Sequence, residues 1–103
     1  MYCVVFITTK DKEEGKKIAE KLVEEKLAAC VNIIDAVHSL FWWEGKGNDA
    51  KESLLIVKTK EALFDPLVKM VKSLHSYTVP EIIALPIITG NEDYLNWIKD
   101  STR

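Results

Sequence analysis

The segment Leu74–Ile82 joins a helical pattern to an apolar run of strand length, and it constrains the fold more than any other part of the sequence. Apolar residues recur upstream of it at helical spacing, and the apolar run Ile82–Ile88 follows. Because Pro80 disfavours helical geometry at the residue before it, the helix is predicted to end by about Ser76. His75 is then expected in the last helical turn, where the helix dipole favours a protonated imidazole. This position makes it a candidate ligand or capping group.

Length, composition and charge exclude several classes of protein. A chain of 103 residues is predicted to form one domain, residues 1–103. Its 48% hydrophobic and 29% charged residues are typical of a globular domain rather than a disordered segment. A net charge of -2, with Lys and Glu mixed throughout, offers no basic surface for a nucleic acid or a membrane. No apolar run approaches the roughly 20 residues of a membrane span, and no signal-peptide pattern is visible, so we expect a cytoplasmic protein.

The first half of the chain alternates between strand and helix patterns. Apolar residues on both faces predict a central strand, covered on each side, over Tyr2–Thr9. A narrow apolar stripe then predicts a helix over Lys12–Glu25. The second strand, Cys30–Trp43, alternates imperfectly, which predicts a bend or bulge. It returns through the polar reversal Glu44–Asp49 into a third strand, Ala50–Thr59.

The second half supplies a helix, a strand and a last short helix. Pro66 is expected in the first turn of the helix after Thr59, either at the first helical position or slightly deeper. The fourth strand is predicted over Ile82–Ile88, and Asn91 is predicted to cap the final helix. The order βαββαβ plus a C-terminal helix predicts an α+β, ferredoxin-like fold with an antiparallel sheet. Right-handed connections place the first and third strands at the centre of the sheet and the second at an edge.

The predicted second strand is long and apolar for an edge strand. It carries no proline and few charges that would prevent it from pairing with another chain. Leu40–Trp43 contributes four large apolar residues, more than one side of a hairpin can hide, which indicates a partner surface. Closed self-association with cyclic symmetry would cover both features. The alternative is that Trp42 and Trp43 fold back onto their own domain.

Five stretches of the sequence carry a resemblance to a known family. They are Glu25–Ile33, Phe41–Lys46, Glu52 with Lys58 and Thr59, His75–Ile82, and Asn91 with Tyr94, Leu95 and Trp97. Together, and in this order, they resemble the CutA family of divalent-cation tolerance proteins. The resemblance implies a homotrimer of ferredoxin-like subunits, similar in plan to the PII-type nitrogen signal transducers. It also implies an association with copper or other divalent cations.

Two residues are candidate metal ligands on the basis of this resemblance. His75 matches the histidine that precedes a tyrosine in the family, and imidazole suits Cu(II). Cys30 lies in the first matched stretch, and its sulfur is soft enough for Cu(I). Two other positions at which some members carry ligands are Ile7 and Leu74 here. Each candidate has a structural alternative, because His75 also fits a helix-end cap and Cys30 also fits a small core residue.

Seven further polar and aromatic residues match the family and are predicted to line a binding pocket or a subunit interface. They are Trp43, Glu52, Lys58, Tyr77, Glu81, Tyr94 and Trp97. At a subunit junction these residue types would form either a ligand pocket or a polar interface, and the sequence favours neither. Lys58 would also form an ion pair with a carboxylate across such an interface.

The sequence favours a trimeric divalent-cation tolerance protein that binds copper or another divalent ion and is not an enzyme. The alternative is a PII-like sensor of a small metabolite that binds between subunits. An acylphosphatase-type enzyme would need an arginine near the first turn, but the only arginine is Arg103. A metal-chaperone domain would carry a cysteine pair in Thr8–Asp11, and an RNA-binding domain would carry aromatic residues in Ser53–Lys58.

Overall fold

Four antiparallel strands form one sheet in the order β2-β3-β1-β4. The structure is a computed structural model that describes residues 1–103. Its elements are β1 (Tyr2–Thr9), α1 (Lys12–Glu24), β2 (Cys30–Trp43), β3 (Lys46–Lys60), a 3₁₀ turn (Glu61–Leu63), α2 (Phe64–Leu74), β4 (Ile82–Pro86) and α3 (Glu92–Ser101). The predicted α+β order, the central first and third strands and the edge position of the second strand are confirmed.

One face of the sheet is covered by α1 and α2. Side chains alternate between buried and half-buried along β1, and those of Val5 and Ile7 are fully buried on the helix side. They form one apolar core with Ile18 and Leu22 of α1 and Leu67 of α2. Full burial of a side chain of this size contributes about 1.5–3 kcal/mol, so this layer supplies most of the folding free energy within one chain.

The opposite face of the sheet is apolar and only partly covered. Phe6 points to it and lies opposite Ile56 on one neighbouring strand and Ile83 on the other. The side chain of Ile83 is half exposed. We call this surface the open face, and its apolar members are Val4, Phe6, Ile34, Leu54, Ile56, Ile83 and Leu85. The prediction that β1 is covered on both faces is therefore met on only one face within a single chain.

Strand β2 contains the irregularity that its sequence predicts. Its pairing with β3 shifts after Ile34. In the shifted segment the Ser53 hydroxyl donates a hydrogen bond to the carbonyl of Asp35, with 2.6 Å between the oxygens. Beyond this bulge β2 and β3 continue as a long hairpin, Val37–Trp43 paired with Lys46–Glu52, which we call the arm. The arm elongates the molecule, which measures 44 × 25 × 23 Å.

The turn of the arm is tighter than the polar reversal that the sequence predicts. Only Glu44 and Gly45 form it, and β3 already begins at Lys46. Their φ angles of 53° and 78° are the positive values that a two-residue hairpin turn requires. The Asn48 amide donates to the carbonyls of Trp43 and Lys46, at 3.3 and 3.0 Å. These bonds fasten the turn, so the strand pairing extends through polar residues that were predicted to form a loop.

The two ends of α2 show where Pro66 and His75 lie relative to the helix. Pro66 is the third residue of the helix. The first four N–H groups of an α-helix have no partner within the helix, so the missing N–H of this proline removes no helical hydrogen bond. The helix ends at Leu74, which confirms the predicted end before Ser76. The expectation that His75 lies in the last helical turn is wrong. His75 is the C-cap residue, with an extended backbone (φ −82°, ψ 139°), because the chain already turns towards the sheet at this point.

Strand β4 and helix α3 complete the chain. The strand ends at Pro86 instead of the predicted Ile88. Its neighbour β1 begins at Tyr2, so the last hydrogen bond between them is the one that the N–H of Ile87 donates to the Tyr2 carbonyl. The side chain of Asn91 caps α3 by accepting a hydrogen bond from a backbone N–H at 2.9 Å, as predicted. None of the helices is long and apolar enough to cross a membrane.

Candidate functional site

A groove of about 780 Å³ lies where the arm leaves the sheet. The arm forms one wall, Thr8 at the end of β1 contributes to the floor, and the loop after α2 forms the other wall. Four of the residues predicted to line a pocket or interface are brought together here: Trp43, Glu52, Tyr77 and Glu81. The volume lies within the usual range for sites that bind small molecules.

Strand pairing explains why the arm presents these side chains to the groove. Glu52 lies opposite Val37, so it shares a face of the hairpin with Phe41 and Trp43, which follow at steps of two residues. The intervening residue Trp42 points to the other side of the arm and is 79% exposed. The groove therefore lies on the same side as the open face, and the back of the arm is a separate apolar surface.

Glu52 carries the most constrained carboxylate in the groove. The residue is only 8% exposed, and the Tyr77 hydroxyl donates to its Oε2 at 2.7 Å. Burial and this hydrogen bond raise the pKa of Tyr77 well above its ordinary value, so the hydroxyl remains a donor at neutral pH. The Oε1 atom of Glu52 accepts no hydrogen bond. Since every fully buried side-chain oxygen in this chain has a partner, Oε1 is not fully buried, and it faces the open groove.

A second carboxylate gives the groove a negative potential. Glu81 accepts a hydrogen bond from the hydroxyl of Thr8 at 3.3 Å. The lining includes Glu52 and Glu81 but no lysine, arginine or histidine. Carboxylates without a neighbouring cation attract positively charged ligands. The aromatic rings of Phe41, Trp43 and Tyr77 add faces that a cation can approach.

His75 lies behind the groove and fastens its outer wall. Its ring is fully buried. Nε2 lies 2.7 Å from the Thr8 carbonyl, which can only accept, so Nε2 carries the proton. Nδ1 accepts the backbone N–H of Tyr77 at 3.1 Å. Both ring nitrogens are thus occupied, and the histidine has no free lone pair for a metal unless the loop moves.

Glu14 is a positioning residue that the sequence reading missed. Its Oε2 accepts the backbone N–H of Ser76 at 2.9 Å, and its Oε1 accepts that of Lys10 at 3.2 Å. Burial raises the pKa of Glu14, but these hydrogen bonds outweigh burial and hold the pKa below its ordinary value. The sequence signal is only local, because Glu14 follows the N-cap Asp11 by three positions, as in a capping box. Nothing in that pattern indicates the bond to Ser76.

The other predicted site residues form a second cluster. Cys30 lies directly opposite Lys58 on the neighbouring strand, and the Lys58 ammonium donates to the side-chain oxygen of Asn32. The rings of Tyr94 and Trp97 lie 5.4 Å apart. Burial and contact with the Cys30 thiol raise the pKa of the Tyr94 hydroxyl. This cluster combines one positive charge with two half-exposed aromatic rings.

Each chain keeps these two clusters apart. Glu52 and Lys58 are six residue steps apart along β3, which corresponds to roughly 20 Å. His75 and Cys30, the two predicted metal ligands, lie on opposite sides of this gap, so they do not converge on one ion within a chain. No group of three or more His, Cys, Asp or Glu side chains is close enough to hold a metal ion. The unbonded oxygens of Glu52 and Glu81 are the metal donors that the groove offers.

Comparison with known proteins gives a consistent result. A family model described as CutA1 divalent ion tolerance protein matches residues 3–101. A rice protein named "Protein CutA 1, chloroplastic" (Oryza sativa subsp. japonica) is 54% identical over 100 residues, which are 97% of this chain and 56% of that protein. The chain therefore spans about half the length of this relative.

Two solved structures have the same fold over at least 98% of their length. The divalent cation tolerance protein (Cut A1) from Thermus thermophilus has a TM-score of 0.98 and 48% sequence identity, and the match covers 100% of both chains. The periplasmic divalent cation tolerance protein CutA from Archaeoglobus fulgidus has a TM-score of 0.96 and 46% identity, covering 98% of each chain. The structural likeness therefore covers nearly the whole chain, including the arm.

The two histidines of the chain provide a matched test of the role of His75. We expect His75→Ala to lower the free energy of unfolding by about 2–3 kcal/mol, because it leaves the Thr8 carbonyl without its donor and removes a buried ring. The control His38→Ala removes an exposed pair with Asp49 and should cost less than about 0.5 kcal/mol. Urea unfolding at matched chain concentration measures both, and equal losses would contradict the role given to His75.

The lowered pKa of Glu14 predicts a pH-dependent contribution to stability. A carboxyl group whose pKa is lower in the folded than in the unfolded chain stabilises the folded state. This contribution is fully present above the pKa of the unfolded chain, about 4.3, and it is lost as the pH falls through the pKa of the folded chain. Glu14→Gln should therefore cost about 1–2 kcal/mol at pH 7 and little at pH 3. The exposed Glu13→Gln is the control, and urea unfolding at the two pH values is the measurement. An equal loss of stability in Glu14→Gln at pH 7 and at pH 3 would contradict the lowered pKa of Glu14.

Proposed function

The chain belongs to the CutA1 divalent ion tolerance family, and from that premise we propose that it is a homotrimer that binds divalent cations in the groove beside the arm. The observation that carries this proposal is an acidic groove bordered by apolar surface that one chain leaves uncovered. Cu(II) is the ion we propose first, and binding without catalysis is the proposed activity.

Self-association is supported by the amount of apolar surface on the arm and the open face. Leu40 and Trp42, on the back of the arm, are 77% and 79% exposed. On the open face Ile83 and Leu85 are 50% and 44% exposed. Adjacent exposed apolar side chains of this size mark an interaction surface in a protein of ordinary composition. Exposure of 79% for Trp42 and 44% for Trp43 argues against the alternative that these two residues fold back onto their own domain.

Cyclic symmetry accounts for the separation of the two clusters. In a closed ring each copy presents two different surfaces, one to each neighbour. The acidic groove of one copy and the cluster around Lys58 of the next then complement each other in charge. Three copies is the number that the resemblance to the family implies. Trp43, Glu52, Tyr77 and Glu81 would form one side of the junction, and Lys58, Tyr94 and Trp97 the other.

Divalent-cation binding is supported by the chemistry of the groove. The free oxygen of Glu52 and the carboxylate of Glu81 are oxygen ligands, and the hydroxyls of Thr8 and Tyr77 lie beside them. Cu(II) stands above the other common divalent ions in affinity at most nitrogen and oxygen sites, so it is the most sensitive probe. Two carboxylates alone form an incomplete site, which water or a neighbouring copy would complete.

A small-metabolite sensor is the second candidate function, and the size of the groove favours it. A groove of about 780 Å³ holds a molecule of several atoms, far more than a metal ion with its ligands requires. The aromatic walls also suit an organic ligand better than a hydrated ion.

We propose a cytoplasmic location, because both cysteines are free and their strands are not neighbours in the sheet. The chloroplastic and periplasmic designations of two relatives belong to those proteins.

Native mass spectrometry tests the assembly. We expect the wild-type chain of 11.7 kDa to give three times its own mass. A double variant, Leu40→Asp with Trp42→Asp, should give mainly single chains, because it places charges in the apolar contact. Val23→Asp changes an exposed apolar residue on α1 and should leave the assembly intact. A wild-type protein that remains a single chain at micromolar concentration would contradict the proposal.

Isothermal titration with Cu(II) tests the metal site. We expect Glu52→Gln to weaken binding about tenfold or more, because the variant keeps an acceptor for Tyr77 but removes the charge that faces the groove. Cys30→Ser tests whether the second cluster supplies a ligand, and with the groove as the metal site this variant should lower Cu(II) affinity less than Glu52→Gln does. Glu20→Gln, on the exposed surface of α1, controls for the loss of one negative charge. Affinity that falls in Cys30→Ser but not in Glu52→Gln would overturn the groove as the metal site.

A further inference from the structure

We propose that the ammonium group of Lys58 in a neighbouring copy pairs with the free oxygen of Glu52, so that a divalent cation enters the groove only in competition with this lysine. The pairing rests on the proposed homotrimer, and it deepens that function because it gives each groove a resident positive charge from the next chain. Two unmatched charges on one face of the sheet lead to it.

Glu52 and Lys58 are the two halves of an ion pair that a single chain does not form. The Glu52 carboxylate is buried, and the Tyr77 hydroxyl is its only partner. The Lys58 ammonium donates to the side-chain oxygen of Asn32 and pairs with no carboxylate. Six residue steps along β3 place Glu52 and Lys58 roughly 20 Å apart, beyond the combined reach of their side chains. Any ion pair that either of them forms is therefore with another molecule.

The two charges lie at the ends of an apolar stretch of the open face. Leu54 and Ile56 lie between them on β3, and side chains at steps of two residues point to the same side of a strand. A copy that covers Leu54 and Ile56 also removes water from the charges at both ends of this stretch. Burying one partner of an ion pair without the other is strongly destabilising. Coverage of the open face therefore favours the arrangement in which Lys58 of one copy meets Glu52 of the next.

Aromatic rings accompany both charges. Trp43 and Tyr77 line the groove beside the carboxylate, and Tyr94 and Trp97 belong to the cluster around the lysine. All four side chains are about half exposed in a single chain. Large aromatic side chains that exclude water from a central polar contact are typical of protein interfaces. Contact between the groove and the second cluster covers these rings and the ion pair in one step.

The pairing occupies the same oxygen that the proposed metal site uses. The free oxygen of Glu52 accepts either an ammonium group or a divalent ion, and two positive charges at contact distance from one another repel. In the absence of metal the neighbouring lysine therefore fills this end of the groove. A divalent ion has to displace it, and the apparent affinity for the ion is lowered by the fraction of grooves that the lysine occupies.

A double-mutant cycle in urea tests the contact between copies. Glu52→Gln and Lys58→Met should each lower the urea concentration at which sedimentation velocity shows half of the trimer dissociated, because each variant leaves one charge buried without its partner. The double variant should dissociate no more easily than the weaker single variant. Sites this far apart within one chain have additive effects, so a shortfall from additivity identifies a contact between copies. Lys72→Met, on the exposed surface of α2, should be additive with Glu52→Gln and is the control.

Calorimetric titration with Cu(II) tests the competition. Lys58→Met should bind Cu(II) severalfold more tightly than the wild-type protein, because no neighbouring ammonium group then occupies the Glu52 oxygen. Lys72→Met removes the same charge from an exposed helix and should change the affinity less than about twofold. An equal gain in the two variants would reflect only a more negative chain and would contradict the competition.

The same measurements separate the pairing from the function on which it rests. Additive effects of Glu52→Gln and Lys58→Met in an intact trimer would overturn the pairing and leave the assembly standing. A wild-type protein that remains a single chain would overturn both, and the groove would then belong to a different occupant. If Cu(II) binds neither the wild-type protein nor Lys58→Met, the cation function and the competition both fail, and the cycle in urea alone decides the ion pair.

Discussion

Two helices cover only one face of this four-stranded sheet, and the other face is also apolar. Helices α1 and α2 bury the side chains of Val5 and Ile7 completely, while Phe6 between them points to the open face. The arm extends this surface beyond the body of the domain and adds Leu40 and Trp42 on its back. A chain with this arrangement leaves hydrophobic free energy unused as a monomer, which is the physical basis of the proposed self-association.

The groove depends on the same geometry, because it forms where the arm meets the end of β1. Its outer wall is a loop that would be mobile without attachment points, and two buried groups provide them. His75 connects the loop to the Thr8 carbonyl, and Glu14 holds the Ser76 N–H from α1. The loop in turn places the Tyr77 hydroxyl on Glu52. The histidine that the sequence indicates as a metal ligand therefore acts on the site through the loop's position.

The sequence was sufficient for the order of the elements, and four of the residues that it indicates line the groove. Periodicity and Pro80 located the helices, the order of the strands and the end of α2, because these depend on local patterns. The two-residue turn at Glu44 and Gly45 was not predictable from polar composition, since its φ angles depend on strand pairing. Nor was the role of Gly15, whose lack of a side chain lets α1 approach the Thr9 hydroxyl, 3.0 Å from where a Cβ would lie. The separation of the site into two clusters required the strand register, which no motif encodes.

Small-angle scattering of the protein in solution tests most directly whether the open face and the arm are covered by further copies. One chain has a radius of gyration of 14.0 Å over its Cα atoms and a mass of 11.7 kDa. Coverage by two further copies predicts a particle of three times this mass with a clearly larger radius of gyration, unchanged on dilution into the low micromolar range. A particle with the mass of one chain and a radius of gyration near 14.0 Å would show that the apolar face remains exposed to water, and it would contradict the central claim.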